Sequence, residues 1–133
     1  MGPLNKIASG GETSRFMLAL KAVLAKSDAI PTIIFDEVDS GIGGAVAAAV
    51  GERLSTLAKS AQVLVITHSP QVAARGSHHW RVFKSEGAQQ VTTNIEILDD
   101  DARKEEIARM LAGAEVTEEA RAAADSLLQD TSP

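Results

Sequence analysis

Cysteine is absent from all 133 residues. That excludes disulfides and thiolate metal sites, and it fits a reducing compartment. Long apolar runs are also missing: the longest is far too short to cross a bilayer, so no membrane partner is expected. No secretory signal pattern opens the chain. An excess of positive charge is lacking too, since 13 Lys and Arg against 18 Asp and Glu leave a net charge of −5. No broad electrostatic attraction to nucleic acid follows from that balance, although one local basic patch could still touch a backbone. Neither an internal repeat nor a low-complexity tract occurs. What is there is 44% hydrophobic with mixed charges, the composition of a globular domain or a piece of one.

The stretch Ala8-Ser9-Gly10-Gly11-Glu12-Thr13-Ser14-Arg15 carries the first chemical signal. Ser followed three residues later by Glu is a capping box, in which Ser9 accepts from the backbone N–H of residue 12 while Glu12 reaches back. Gly10 and Gly11 have no Cβ, so the first amides of the helix stay approachable. Unpaired amides at the positive end of a helix dipole make an anion site, and the natural ligand is a phosphate. Standing alone, four such residues are an ordinary helix start, because so short a match arises often by chance. The helix is expected from about Glu12 to Lys26. Only Lys21 is charged between Phe16 and Ala25, which makes it a core helix with a functional tip.

Ile30 to Phe35 is β-branched and continuous, the pattern of a parallel strand covered on both faces. Asp36 and Glu37 follow at its carboxyl end, where open α/β sheets place their ligands. Two adjacent charges at a buried strand exit are costly unless a cation or hydrogen-bond donors meet them. A Gly-rich loop from Val38 to Gly44 comes next, then a helix over about 45–59 with Val46, Val50, Leu54 and Leu57 on one face. Gln62 to Thr67 reads as a second buried strand. Strand, helix and strand of these lengths form a βαβ crossover with both strand exits on one sheet edge. His68 therefore comes near Asp36 and Glu37, a placement that favours a functional histidine over a structural one.

Ser69-Pro70 opens a short helix through about Arg75, with Ser69 as N-cap. Trp80 to Lys84 and Gln90 to Leu98 read as a hairpin. His78 and His79, taken as strand neighbours, point to opposite faces and make a poor metal pair. Arg75, His78, His79, Arg81 and Lys84 form the one local basic cluster, by default a solvated face, with weak DNA contact as the minority view. Asp99, Asp100 and Asp101 precede a helix with Ile107, Met110 and Leu111 on one side, where they complement its dipole. Thr117 caps a last helix through about Leu128, which buries Ala120, Ala124, Leu127 and Leu128. The tail from Asp130 to Pro133 is expected to fray.

Taken in order and spacing, Ser9-Gly10-Gly11-Glu12, Thr32-Ile33-Ile34-Phe35-Asp36-Glu37 and Thr67-His68 resemble the C-terminal half of an ABC-type ATPase head. They look like its signature loop, its Walker B strand with the catalytic Glu, and its switch histidine. Within that superfamily three longer stretches, residues 7–12, 35–44 and 67–73, are similar to the RecN family, SMC-related bacterial proteins of DNA double-strand-break repair. The tail over 105–117 is similar too. The resemblance implies an α/β fold: the C-terminal lobe of an ABC/SMC-type P-loop NTPase head, with parallel strands, flanking helices, a β-hairpin and C-terminal helices. It also implies a cytoplasmic, nucleoid-associated protein whose partners are DNA ends and a second head.

In the implied roles, Asp36 holds Mg²⁺ through water, Glu37 and His68 are catalytic, and Ser9, Gly10, Gly11 and Glu12 bind ATP held by the other protomer. Asp39, Ser40 and Gly41 form a dimer-interface loop. Thr13 departs from the apolar residue common in such signatures, and the loop after Asp39 lacks the Ser-Ala-Leu-Asp pattern of most ABC proteins. No GxxxxGKS or GxxxxGKT pattern occurs in the sequence, so nothing in it can wrap the α and β phosphates. The expectation is one lobe of a split head, with the Walker A lobe joined through a coiled coil and poor stability for this lobe in isolation. Two rival readings remain open: a metal-dependent nuclease built on Asp36, Glu37 and Asp39, and a noncatalytic interaction lobe.

Overall fold

The computed structural model describes residues 18–19, 31–86, 90–113 and 115–131, in two compact units divided between Arg75 and Gly76. Ser9 to Glu12 lie outside the described residues, as does all of the helix expected over 12–26 except Leu18 and Ala19. Those two are helical, and Leu18 belongs to the core.

The first unit contains β1 (Thr32–Asp36), α1 (Gly44–Leu57), β2 (Gln62–Ile66) and α2 (Pro70–Ala73). β1 and β2 pair in parallel from Thr32 with Gln62 to Asp36 with Ile66, the crossover that the strand-helix-strand pattern predicts. Ile33 and Phe35 point into a core with Val38, Ala47, Val50, Leu54, Leu57 and Val72. Ile34, by contrast, is 55% exposed. Among the described residues β1 therefore buries one face, which corrects the expectation of cover on both. An unbroken apolar run does not by itself distinguish one-sided from two-sided burial.

Along α1 the buried stripe is Ala47, Val50, Gly51, Leu54 and Leu57, a helical spacing of three and four residues. Val46 lies off that stripe and is exposed, contrary to the sequence reading. Gly51 sits where α2 crosses closely: a Cβ there would stand 3.3 Å from the Gln71 carbonyl oxygen and 3.3 Å from the Val72 Cα. Ser69 is the N-cap residue of α2, with Pro70 following, but its side chain does not cap. The hydroxyl donates instead to Gln71 Oε1 at 2.9 Å.

The second unit pairs β3 (Trp80–Glu86) with β4 (Val91–Ile97) antiparallel, as the two β-prone runs predict. It continues with α3 (Asp100–Ala112) and α4 (Glu118–Gln129). Asp99 caps α3 by accepting from the Ala102 N–H at 2.8 Å, and Thr117 caps α4 by accepting from Ala120 at 3.2 Å. Gly113, at φ +80, ends α3 in a conformation that disfavours other residues. Ile107, Ala108, Ala120 and Ala124 are buried, and Lys104 to Asp125 and Arg121 to Glu105 link α3 to α4.

Here too the apolar pattern misplaces some side chains. Leu111 is exposed and Met110 half-buried, while Glu106 is buried between them and the start of the helix. Its carboxylate is met by Arg109, which makes the burial tolerable. Leu127 and Leu128 are half-buried rather than buried.

Candidate functional site

The two parallel strands end level with each other, and the Glu37 N–H continues the ladder by donating to the Ile66 carbonyl at 2.8 Å. Glu37 then adopts φ +49, the left-handed region that residues with a Cβ seldom occupy. A tight turn follows, with the Ser40 N–H donating to the Glu37 carbonyl at 3.0 Å, and Gly41 supplies φ +73. This reversal brings Glu37 Oε1 to 2.8 Å from His68 Nε2. The side chains are 49% and 87% exposed, so the contact is available to a ligand and contributes little to stability.

Beneath the pair, Thr67 Oγ1 donates to Asp39 Oδ2 and accepts from the Ser69 N–H at 2.9 Å. Asp39 is buried, whereas Ser40 and Gly41, expected beside it in an interface loop, are exposed. An open depression of about 340 Å³ is lined by Glu37, Asp39, Gly41, His68, Ser69 and Gln71, among others. Asp36 is exposed on the outer face of β1 and does not line it. The structure thus brings Glu37, Asp39 and His68 to one rim, with Asp36 adjacent in the chain but turned to the other side. Two contributors were not singled out from sequence. Thr67 and Gln71 have only their place in the family-like stretch 67–73 as a signal.

Among the described residues, no three His, Asp or Glu side chains converge to hold a metal ion. Asp36, Glu37 and Asp39 are not such a set, since Asp36 does not line the depression that Glu37 and Asp39 share, which weighs against the nuclease reading. A single carboxylate at a strand exit remains compatible with a cation held through water.

In the basic cluster Arg81 is not a free cation. Arg81 bonds Glu96 at 2.7 Å and lies 3.8 Å from Glu106. His78 and His79 sit in the loop before β3 rather than on the strand, so the alternation argument does not apply to them. His79 is half-buried, and burial pushes its pKa below the ordinary 6.5; Arg103 acts in the same direction and Glu106 opposes it. The hydrogen bond from Arg109 holds Glu106 below its ordinary range, against the effect of burial.

A parallel βαβ unit with its acidic and histidine exits side by side, and a hairpin followed by two helices, is an SMC-type ATPase-head fold. A solved chain from work on the structural biochemistry of ATP-driven dimerization and DNA stimulated activation of SMC ATPases superposes with a TM-score of 0.62, covering 83% of this chain and 66% of the other at 19% identity. By sequence the chain is similar over nearly its whole length to RecN DNA repair proteins. It is 52% identical to RecN of Xylella fastidiosa over 128 residues and 48% identical to that of Streptomyces coelicolor over 127, in each case 96% of this chain. The Deinococcus radiodurans RecN is 52% identical over 113 residues, 85% of the chain. The chain spans 20 to 23% of the length of these curated relatives. No protein-family model matches it. Among the described residues no helix is long and apolar enough to cross a membrane.

Proposed function

We propose that the chain is the C-terminal lobe of a RecN-type ATPase head, which hydrolyses ATP at a head–head interface and couples that cycle to binding or bridging DNA ends. The observation that carries the reading is the Glu37–His68 contact at 2.8 Å, at the exits of two parallel strands. A carboxylate beside an imidazole, both open to solvent, is arranged to orient a water molecule and to donate a hydrogen bond to a phosphoryl oxygen.

In this reading Glu37 accepts the proton of the attacking water, and His68 hydrogen-bonds the γ-phosphate and senses its loss. Asp36, exposed at the last position of β1, would hold Mg²⁺ through water. When bound, that ion neutralises charge on the β and γ phosphates. Ser9, Gly10, Gly11 and Glu12 would close on ATP gripped by the partner head, because the helix start that their sequence predicts would stabilise charge gathering on the γ-phosphate. The phosphate-wrapping loop comes from an N-terminal Walker A lobe joined through a coiled coil, and ATP then holds two heads together until hydrolysis releases them.

The test is ATP turnover by a complete RecN-type protein carrying this sequence, with Glu37→Gln. Turnover is expected to fall on the order of 100-fold or more. Unchanged hydrolysis removes the mechanism, and metal-dependent DNA cleavage without nucleotide would favour the nuclease instead.

A further inference from the structure

We propose that Thr67 is a positioning residue for the Glu37–His68 pair, its hydroxyl tying the loop after β1 to the loop after β2. The inference rests on the function proposed above.

The relative strength of the two contacts decides which one sets the geometry. Glu37 and His68 are both substantially exposed, and such a pair contributes little to stability. That is too little to hold two loops in register. Asp39 is only 7% exposed, and a carboxylate so placed is tolerated only where donors meet it. The Thr67 hydroxyl is that donor. The same oxygen accepts from the Ser69 N–H, so its proton and one of its two lone pairs are committed. Asp39 lies two residues after Glu37, and Thr67 immediately precedes His68. The parallel ladder brings the two strand exits level, and fixing the first pair then fixes the loop backbone from which the second pair extends.

The sequence context supports the assignment. Glu37 is held at a positive φ, and Gly41 follows at another. Val38 anchors this turn in the core from one side, and the Asp39 carboxylate beside it ties the turn to the loop after β2. Valine matches threonine in shape but cannot donate, while serine keeps the hydroxyl. The three residues separate hydrogen bonding from packing.

The experiment measures ATP turnover and KM in a complete RecN-type protein carrying this sequence, with Thr67→Val, Thr67→Ser, Glu37→Gln and His68→Ala, each checked by thermal unfolding. Thr67→Val is expected to lower kcat about 10- to 100-fold with KM changed less than about threefold. Thr67→Ser is expected to return kcat to within about threefold of the parent. In a His68→Ala background, Thr67→Val should cost several-fold less than in the parent, because only Glu37 is left to position. A purely structural role would give the same loss in both backgrounds and would overturn the inference. Full turnover by Thr67→Val beside an inactive Glu37→Gln also overturns the inference and leaves the proposed function standing. A Glu37→Gln protein with full turnover overturns both.

Discussion

His68 Nε2 lies 2.8 Å from Glu37 Oε1 although a whole helix separates the two residues in the chain. The contact exists because β1 and β2 run parallel and end level, so each delivers its next residue to the same rim. Removing the imidazole tests what the contact is for. With His68→Ala in a complete RecN-type protein, steady-state hydrolysis is expected to fall about 10- to 100-fold while ATP binding persists. Equal loss of binding and turnover would make His68 a simple ligand contact.

Gly51 sets how closely α2 approaches α1. A side chain there meets the backbone of Gln71 and Val72 at 3.3 Å, and backbone does not move aside as a side chain would. Gly51→Val is expected to cost about 1–3 kcal/mol. Urea unfolding followed by circular dichroism measures it, and an unchanged midpoint would show that α2 is free to shift.

Glu106 links acid stability to the second unit. Its folded pKa lies below the ordinary 4.5, first through the Arg109 hydrogen bond, so it contributes stability above 4.5 that is lost as pH falls through the lower folded value. Glu106→Gln is expected to flatten that acid limb in thermal melts taken between about pH 5 and pH 3. A limb of undiminished slope would contradict the assignment.

His79 acts in a higher window. Its folded pKa is pushed below 6.5 by burial, so the folded chain binds fewer protons than the unfolded one. Stability is then complete above 6.5 and declines as pH falls below that value. An NMR titration of the imidazole should find His79 below 6.5, and a midpoint above 6.5 would reverse the sign.

The hairpin presents Trp80, Val82, Ile95 and Ile97 on one face, each more than half exposed. Contiguous apolar surface of this kind promotes association. Val82→Thr with Ile95→Thr is expected to lower binding of an apolar dye and to raise solubility of the isolated chain; no change in either would show the face to be harmless.

Much of this architecture is legible in the sequence, for definite reasons. The crossover follows from two short β-branched runs flanking a helical stripe, and the caps at Asp99 and Thr117 follow from side chains that can accept from the helix amides. The meeting of Glu37 with His68 follows from the same topology. Burial is less legible. Ile34 and Val46 are apolar yet exposed, because an apolar residue does not declare which face its neighbours will cover. Glu106 is charged yet buried, because its tolerance depends on Arg109 and Arg81, one of them from a distant strand. Thr67 was hidden for a similar reason: its partner, Asp39, is fixed only once the turn after Glu37 takes its positive φ.

The most direct test of the account is the mass of a complete RecN-type protein carrying Glu37→Gln, measured by light scattering with and without ATP. The account predicts a doubled mass that persists with ATP and disappears on its removal, alongside turnover reduced on the order of 100-fold or more. A protein that stays at one mass in ATP, or that still hydrolyses it at the parent rate, would contradict it.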